Sequence, residues 1–185
     1  MASQTDGRVR SIRIVRSGED LPLDVLDDLA AGLARALRIS CHVVPDPIDV
    51  GFALDDRRGQ FYSTAILKRL AEAALPPDAR QLAIVTGDLF VPVLTFVFGE
   101  AQLGGSAAVV SIQRLREEFY GLPPNRKLLI ERLRVESLHE LGHTFGLRHC
   151  DDWNCAMASS HSVELLDLKG SYCAECRARA LLRFG

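Results

Sequence analysis

The sequence predicts an α/β fold, a largely parallel sheet with helices packed on it and a small C-terminal segment appended. Three observations carry this. Strand-like apolar runs alternate with segments of helical periodicity through the first half of the chain, an order that builds parallel sheets through crossover connections. A long helical stretch follows and can end at Gly146. Four of the five cysteines then crowd between Cys150 and Cys176, in a segment too short to gain much from an apolar core of its own, so that a metal staple is the natural device.

Residues 10–15 form a short apolar and basic run with strand character. Residues 19–37 repeat Leu23, Leu26, Leu29, Leu33 and Leu37 at three- and four-residue steps, the period of a helix. Residues 39–44 read as a second strand, stopped by Pro45 and Pro47. Residues 46–60, rich in Asp, Arg and Gly, read as a loop, and 63–75 as a helix ended by Pro76 and Pro77. A third strand is expected at 82–85, and two β segments at 94–98 and 107–112, with Gly104 and Gly105 turning the chain between them. Asn125 can cap a helix running to about Phe145, and a last helix is expected at 174–182.

The 185 residues suit one domain: 1–146 as an N-terminal subdomain with the long helix, and 147–185 as a cysteine-rich C-terminal subdomain. Hydrophobic residues make 48% and charged residues 25%, with a net charge of −2. That balance speaks against nucleic acid or an anionic membrane as the main partner. The polar start, Met1 to Arg10, lacks the apolar run of a signal peptide, and no stretch has the length of a membrane span. The cytoplasm is the expected location.

The long helix carries the chemistry. Residues 139–150 read His-Glu-Leu-Gly-His-Thr-Phe-Gly-Leu-Arg-His-Cys. His139 and His143, four apart, share one helix face. Gly146 lets the chain leave the helix and return His149 as a third imidazole. On this composition a chance His-Glu-x-x-His has odds on the order of 1 in 100, and adding Gly146 and His149 lowers them to roughly 1 in 100,000, which sets aside an ordinary helix with two satisfied histidines. Zinc accepts neutral imidazole nitrogen, and three protein ligands leave a fourth position for water, whose pKa falls to about 7 on the metal. Glu140 then has the place of a general base, taking the water's proton and passing it to a leaving amine.

Cys150, Cys155, Cys173 and Cys176 can be two disulfides, buried thiols or a tetrahedral sulfur site. Their Cys-x4-Cys and Cys-x2-Cys spacings and the cytoplasmic expectation favour zinc. Because Cys150 follows His149 directly, such a site would also brace the third imidazole.

Taken with Cys150, Cys155, Met157, Cys173 and Cys176, the active-site string resembles the archaemetzincins, a branch of the metzincin zinc metallopeptidases. The resemblance implies a metzincin-like twisted mixed sheet over two main helices, with a cleft beneath its edge strand, and two zinc ions. His139, His143 and His149 match the catalytic zinc ligands, Glu140 the general base, Met157 the methionine of the turn below the zinc, and the four cysteines a structural zinc site. Some metzincins carry a tyrosine two residues after that methionine; this chain has Ser159 there, so no tyrosine assists the zinc from this turn.

The leading expectation is therefore a zinc-dependent metallopeptidase acting on peptides or protein segments. The alternative from another class is a zinc-stabilised peptide-binding module with a weak or vestigial site, and an intact Glu140 favours catalysis. If 94–98 leads into an exposed edge strand, residues 99–103 can pair with an extended peptide. The remaining candidates read as scaffold. Cys41 and His42 belong to a strand, and His161 to an exposed loop. Arg126, Lys127, Arg132 and Arg134, interleaved with leucines, form the solvated face of a helix.

Overall fold

The structure, a computed structural model, describes residues 8–18 and 20–181. The expected polar start (1–7), Glu19 at the head of the first expected helix and Leu182 at the end of the last lie outside the described residues. The main sheet has five strands in the order β2-β1-β5-β8-β7: β1 (Ser11–Arg16), β2 (Ser40–Val43), β5 (Ala79–Val85), β7 (Gly99–Ala101) and β8 (Ala107–Ser111). Every pairing is parallel except β7 with β8. The mixed, largely parallel sheet is the one expected.

Both faces of this sheet are covered, as parallel strands require. Ile12, Ile14, Leu82, Ile84, Ala108 and Val110 point to one face, where α1 (Leu23–Leu37) and α3 (Arg126–Thr144) pack. Val15, Ala83, Val85, Ala107 and Val109 point to the other, where α2 (Ser63–Ala71) contributes Ile66, Leu67 and Leu70. The period-2 alternation along each strand divides the core in two. Among the described residues no helix is long and apolar enough to cross a membrane.

Several expectations need correction. α1 begins at Leu23, because Pro22 disfavours helical backbone at the residue before it. α2 stops at Ala71 rather than running to residue 75: Leu70 is its last buried side chain, and Ala73 already bonds back to Leu70 O in a tighter turn. Residues 46–60 are not plain loop. They hold a 3-10 turn (Gly51–Ala53), β3 (Leu54–Asp55) and the start of β4 (Gln60–Tyr62), which with β6 (Leu89–Phe90) form a second sheet in the order β3-β4-β6. Strands of two and three residues leave no periodicity to read.

The expected strand at 94–98 is absent; the edge strand β7 starts at Gly99. Pro92 interrupts the run, and the carbonyls of Leu94 and Thr95 accept from Arg58 and Gln60 side chains instead of from a neighbouring strand. Val97 makes only an isolated bridge to Leu89. Arg132, expected on a solvated face, is buried and held by Asp167 at 2.7 Å and Glu117 at 2.6 Å. It ties α3 to α4 (Val163–Asp167), a short helix the periodicity did not disclose. The last helix, α5, spans Ala174–Leu181.

Candidate active site

α3 is capped at its start by Asn125, whose side chain accepts from Leu128 N at 3.1 Å, so that one of the free N–H groups of the first turn is satisfied. At its other end Gly146, with φ +84°, donates to His143 O, and Leu147 donates to Gly142 O. These two bonds form a Schellman motif, which needs the left-handed residue that glycine supplies. Beyond it the chain doubles back with His149 beside the helix end. Gly104, in the turn after β7, also donates to His143 O at 2.8 Å, tying the edge-strand hairpin to the same helix end.

The three imidazoles meet. One ligand atom from each of His139, His143 and His149 lies within 4.8 Å of the others. His139 Nδ1 sits 2.8 Å from Ala156 O, and His143 Nδ1 sits 2.9 Å from Leu147 O. A carbonyl only accepts, so each Nδ1 carries the proton and each Nε2 keeps its lone pair. The two Nε2 atoms stand 3.1 Å apart. Two nitrogens on one tetrahedral zinc are expected about 3.3 Å apart, given Zn–N near 2.05 Å. Two lone pairs facing at that distance fit a cation between them. Burial pushes His139 down to about 3 and lowers His143 as well, so both are neutral at physiological pH, the form that binds metal.

Glu140 is buried beside this cluster. Glu136, one turn earlier on the same helix, is equally buried and lines the same cleft. Burial first, and then the neighbouring carboxylate, raise Glu140 well above its ordinary range, and burial pushes Glu136 up to about 7 against the opposing pull of Lys169. A dication at the histidines would draw Glu140 back to its ionised form. Across from Glu140 is Gly99 of β7. A Cβ there would lie 2.7 Å from Glu140 Cγ and 2.7 Å from Val109 O, so the edge strand reaches the helix only as glycine. These groups line a cleft of about 530 Å³ with residues 94–101 along one rim and Ser159, Ser160 and His161 along the other. Ser159 occupies that rim where some metzincins have tyrosine, and exposed His161 joins it.

The second cluster lies against the first. The sulfurs of Cys150, Cys155, Cys173 and Cys176 converge within 4.8 Å, those of Cys150 and Cys173 at 3.9 Å. Sulfurs sharing a tetrahedral zinc at about 2.3 Å are expected roughly 3.8 Å apart. Backbone N–H groups of Met157 and Cys173 point at Cys155 Sγ, and that of Cys176 at Cys173 Sγ. The Cys176 N–H holds Cys173 below the ordinary thiol range, while burial raises Cys155 and Cys176, so a cation is needed to draw those two to thiolate. Each cysteine is a free thiol rather than half of a disulfide. The set suits a soft divalent cation. Cys41 is remote from both clusters, in β2, and burial pushes its thiol up to about 12.

The tripeptide Cys155-Ala156-Met157 joins the two clusters. Cys155 belongs to the sulfur site, Ala156 O orients His139, and Met157 packs its sulfur against Gly142 of α3. Met157 O also accepts from Cys150 N, next to His149. Sequence reasoning singled out every member of both clusters and Met157. It named Gly99 only as the start of a peptide-pairing edge, not as the glycine packed on Glu140, and it missed Glu136, Lys169 and Gly142. Glu136 alone left a signal, a carboxylate one turn before Glu140 in the run Val135-Glu136-Ser137-Leu138.

A sheet with an antiparallel edge strand above a helix that carries two of three clustered histidines defines the zinc metallopeptidase class. The model of peptidase family M54 matches residues 76–182. An archaemetzincin of Methanocaldococcus jannaschii is 44% identical over 138 residues, 74% of each chain. One of Pyrococcus furiosus is 40% identical over 96% of each. The crystal structure of an archaemetzincin from Methanopyrus kandleri superposes with a TM-score of 0.81 at 31% identity, covering 98% of this chain and 97% of that one. The chain belongs to peptidase family M54, the archaemetzincin family, and is a zinc-dependent metallopeptidase.

Proposed function

We propose that His139, His143 and His149 hold one zinc ion and that Glu140 is the general base for hydrolysis of a peptide bond. The observation that carries this reading is the convergence of three ligand atoms within 4.8 Å, with a buried carboxyl on the residue after the first ligand. When bound, zinc supplies the positive charge that polarises a scissile carbonyl and lowers the pKa of water to about 7. The rest falls to the chain. His139 and His143, held through Nδ1, offer neutral Nε2 donors. Glu140 accepts a proton from the attacking water and delivers it to the leaving amine as the C–N bond breaks. The free edge of β7 offers an extended substrate its backbone N–H and C=O groups.

Cys150, Cys155, Cys173 and Cys176 hold a second, structural zinc in this reading, giving two per chain, and residues 147–185 act as a stapled subdomain of one domain. A cysteine cluster that holds metal belongs in a reducing compartment, and in this reading that compartment is the cytoplasm. Digestion of a synthetic peptide library, read by mass spectrometry with zinc content measured, tests the site. Glu140→Ala is expected to keep zinc and lose about 10²- to 10⁴-fold in rate. His143→Ala is expected to lose one zinc and activity together. Full activity in Glu140→Ala would overturn the base assignment. A wild-type protein that holds both zincs and cleaves nothing would favour a binding module.

A further inference from the structure

We propose that Glu136 is a positioning residue for Glu140: its carboxyl, one helical turn away and buried in the same cleft, holds the Glu140 carboxyl by a hydrogen bond in the orientation the reaction needs. This rests on Glu140 being the base. The two side chains leave α3 at i and i+4 and so lie one above the other on one face. Both line the same cleft and both residues are 5% exposed, so the two carboxyls share one buried space.

Glu140 is thereby held on two sides. Gly99 closes one flank so tightly that even a methyl would collide with the Glu140 side chain. In this proposal Glu136 closes the other. A glutamate has three side-chain torsions, and catalytic groups must hold their geometry to within about 0.5 Å. Without a partner, the carboxyl would swing through the open part of the cleft. The Lys169 ammonium, whose charge acts on Glu136, is fixed by Ala158 O and Ser160 Oγ, on the segment that follows Met157. Packing alone does not account for the choice of residue. A second carboxyl buried against the first is costly, and a leucine would fill the same space without that cost.

The test compares Glu136→Gln with Glu136→Leu, both zinc-loaded, on a peptide the wild-type protein cleaves from the library. Glutamine keeps an N–H donor for the Glu140 carboxylate; leucine keeps the volume and loses the donor. Loss of a hydrogen-bonding partner behind an active-site group typically costs about 10- to 100-fold. That loss is expected in kcat for Glu136→Leu, with KM, zinc content and melting temperature not reduced. Glutamine is expected to restore most of it. Crystal structures of the two variants give a readout without turnover: a single Glu140 orientation with glutamine, and a displaced or divided one with leucine. Wild-type kcat in Glu136→Leu, an equal loss in both variants, or an unmoved Glu140 in the leucine structure would overturn the proposal. Glu140→Gln run alongside separates the two ideas, since full activity there would remove the base assignment itself.

Discussion

Gly142 sits between His139 and His143, and the structure gives it a mechanical reason. A Cβ at this position would stand 2.2 Å from the sulfur of Met157 and 3.1 Å from the Tyr172 hydroxyl. Met157 is fully buried, so its sulfur has no free space to retreat into. Tyr172 is fixed as well, donating to Leu138 O at 2.6 Å. Alanine would gain about 0.5–1 kcal/mol of helix propensity over glycine, but overpacking a filled core costs about 1–3 kcal/mol. We expect the clash to win. Gly142→Ala should lower stability by about 1–2 kcal/mol in denaturant titrations of the zinc-loaded protein. It should lower activity too, because Ala156, beside Met157, carries the carbonyl that orients His139. A variant as stable and active as the wild type would show that the turn yields freely. The convergence of the three histidines was legible in the sequence because their spacing around a helix end is a local pattern. Gly99 was legible only as part of an edge segment, not as the glycine that the Glu140 side chain requires, and Lys169 was not legible, since both come to this place only after the chain has folded.

Among the elements, β7 is where the proposed strand addition would take place. It is three residues long and occupies the free edge of the main sheet, hydrogen-bonded to β8 on one side. Its other edge faces the cleft that holds the histidines. A peptide laid along it as one more strand would bring its backbone past Glu140. We expect a complex with a peptide-like inhibitor to show backbone hydrogen bonds to Gly99, Glu100 or Ala101; an inhibitor bound with none would rule out strand addition. Gly99→Ala probes the same element. The methyl would press on Glu140 Cγ and on the Val109 carbonyl, and backbone cannot swing aside as a side chain can. Activity should fall by a larger factor than zinc content. The sequence showed this hairpin's turn at Gly104 and Gly105, its return strand and a peptide-pairing edge at 99–103, but put a strand at 94–98 leading into that edge. Those residues are apolar enough for a strand. What the pattern did not carry is that Arg58 and Gln60 take their carbonyls, and that Arg114, paired with Asp88 at 2.7 Å, stacks on Phe96. Side chains distant in sequence turned a strand-like run into the cleft rim.

At the scale of the molecule, the two ligand clusters form one mechanical unit. The sheet was legible because its strands and helices are long enough to repeat their periods. The coupling was partly legible, through the adjacency of His149 and Cys150. The second link runs through Cys155-Ala156-Met157, and it depends on an Ala156 carbonyl that no sequence pattern marks. If the sulfur cluster loosens, both links loosen: the acceptor of the His139 Nδ1 proton moves, and the bond from Cys150 N to Met157 O no longer fixes the chain after His149. Structural zinc contributes on the order of 10 kcal/mol to small metal-dependent folds, far more than the apolar contacts of a segment this short can replace. Cys176→Ser should therefore lower the melting temperature and the zinc content, and weaken activity although no residue of the histidine cluster has changed. Cys41→Ser is the matched control, since Cys41 lies in β2 outside both clusters and should leave the zinc content unaltered. Thermal unfolding and elemental analysis on the same samples read both effects. An unchanged melting temperature in Cys176→Ser would mean that the C-terminal segment holds itself without the cluster. A lowered melting temperature with wild-type activity would mean that the cluster staples the tail but does not brace the site.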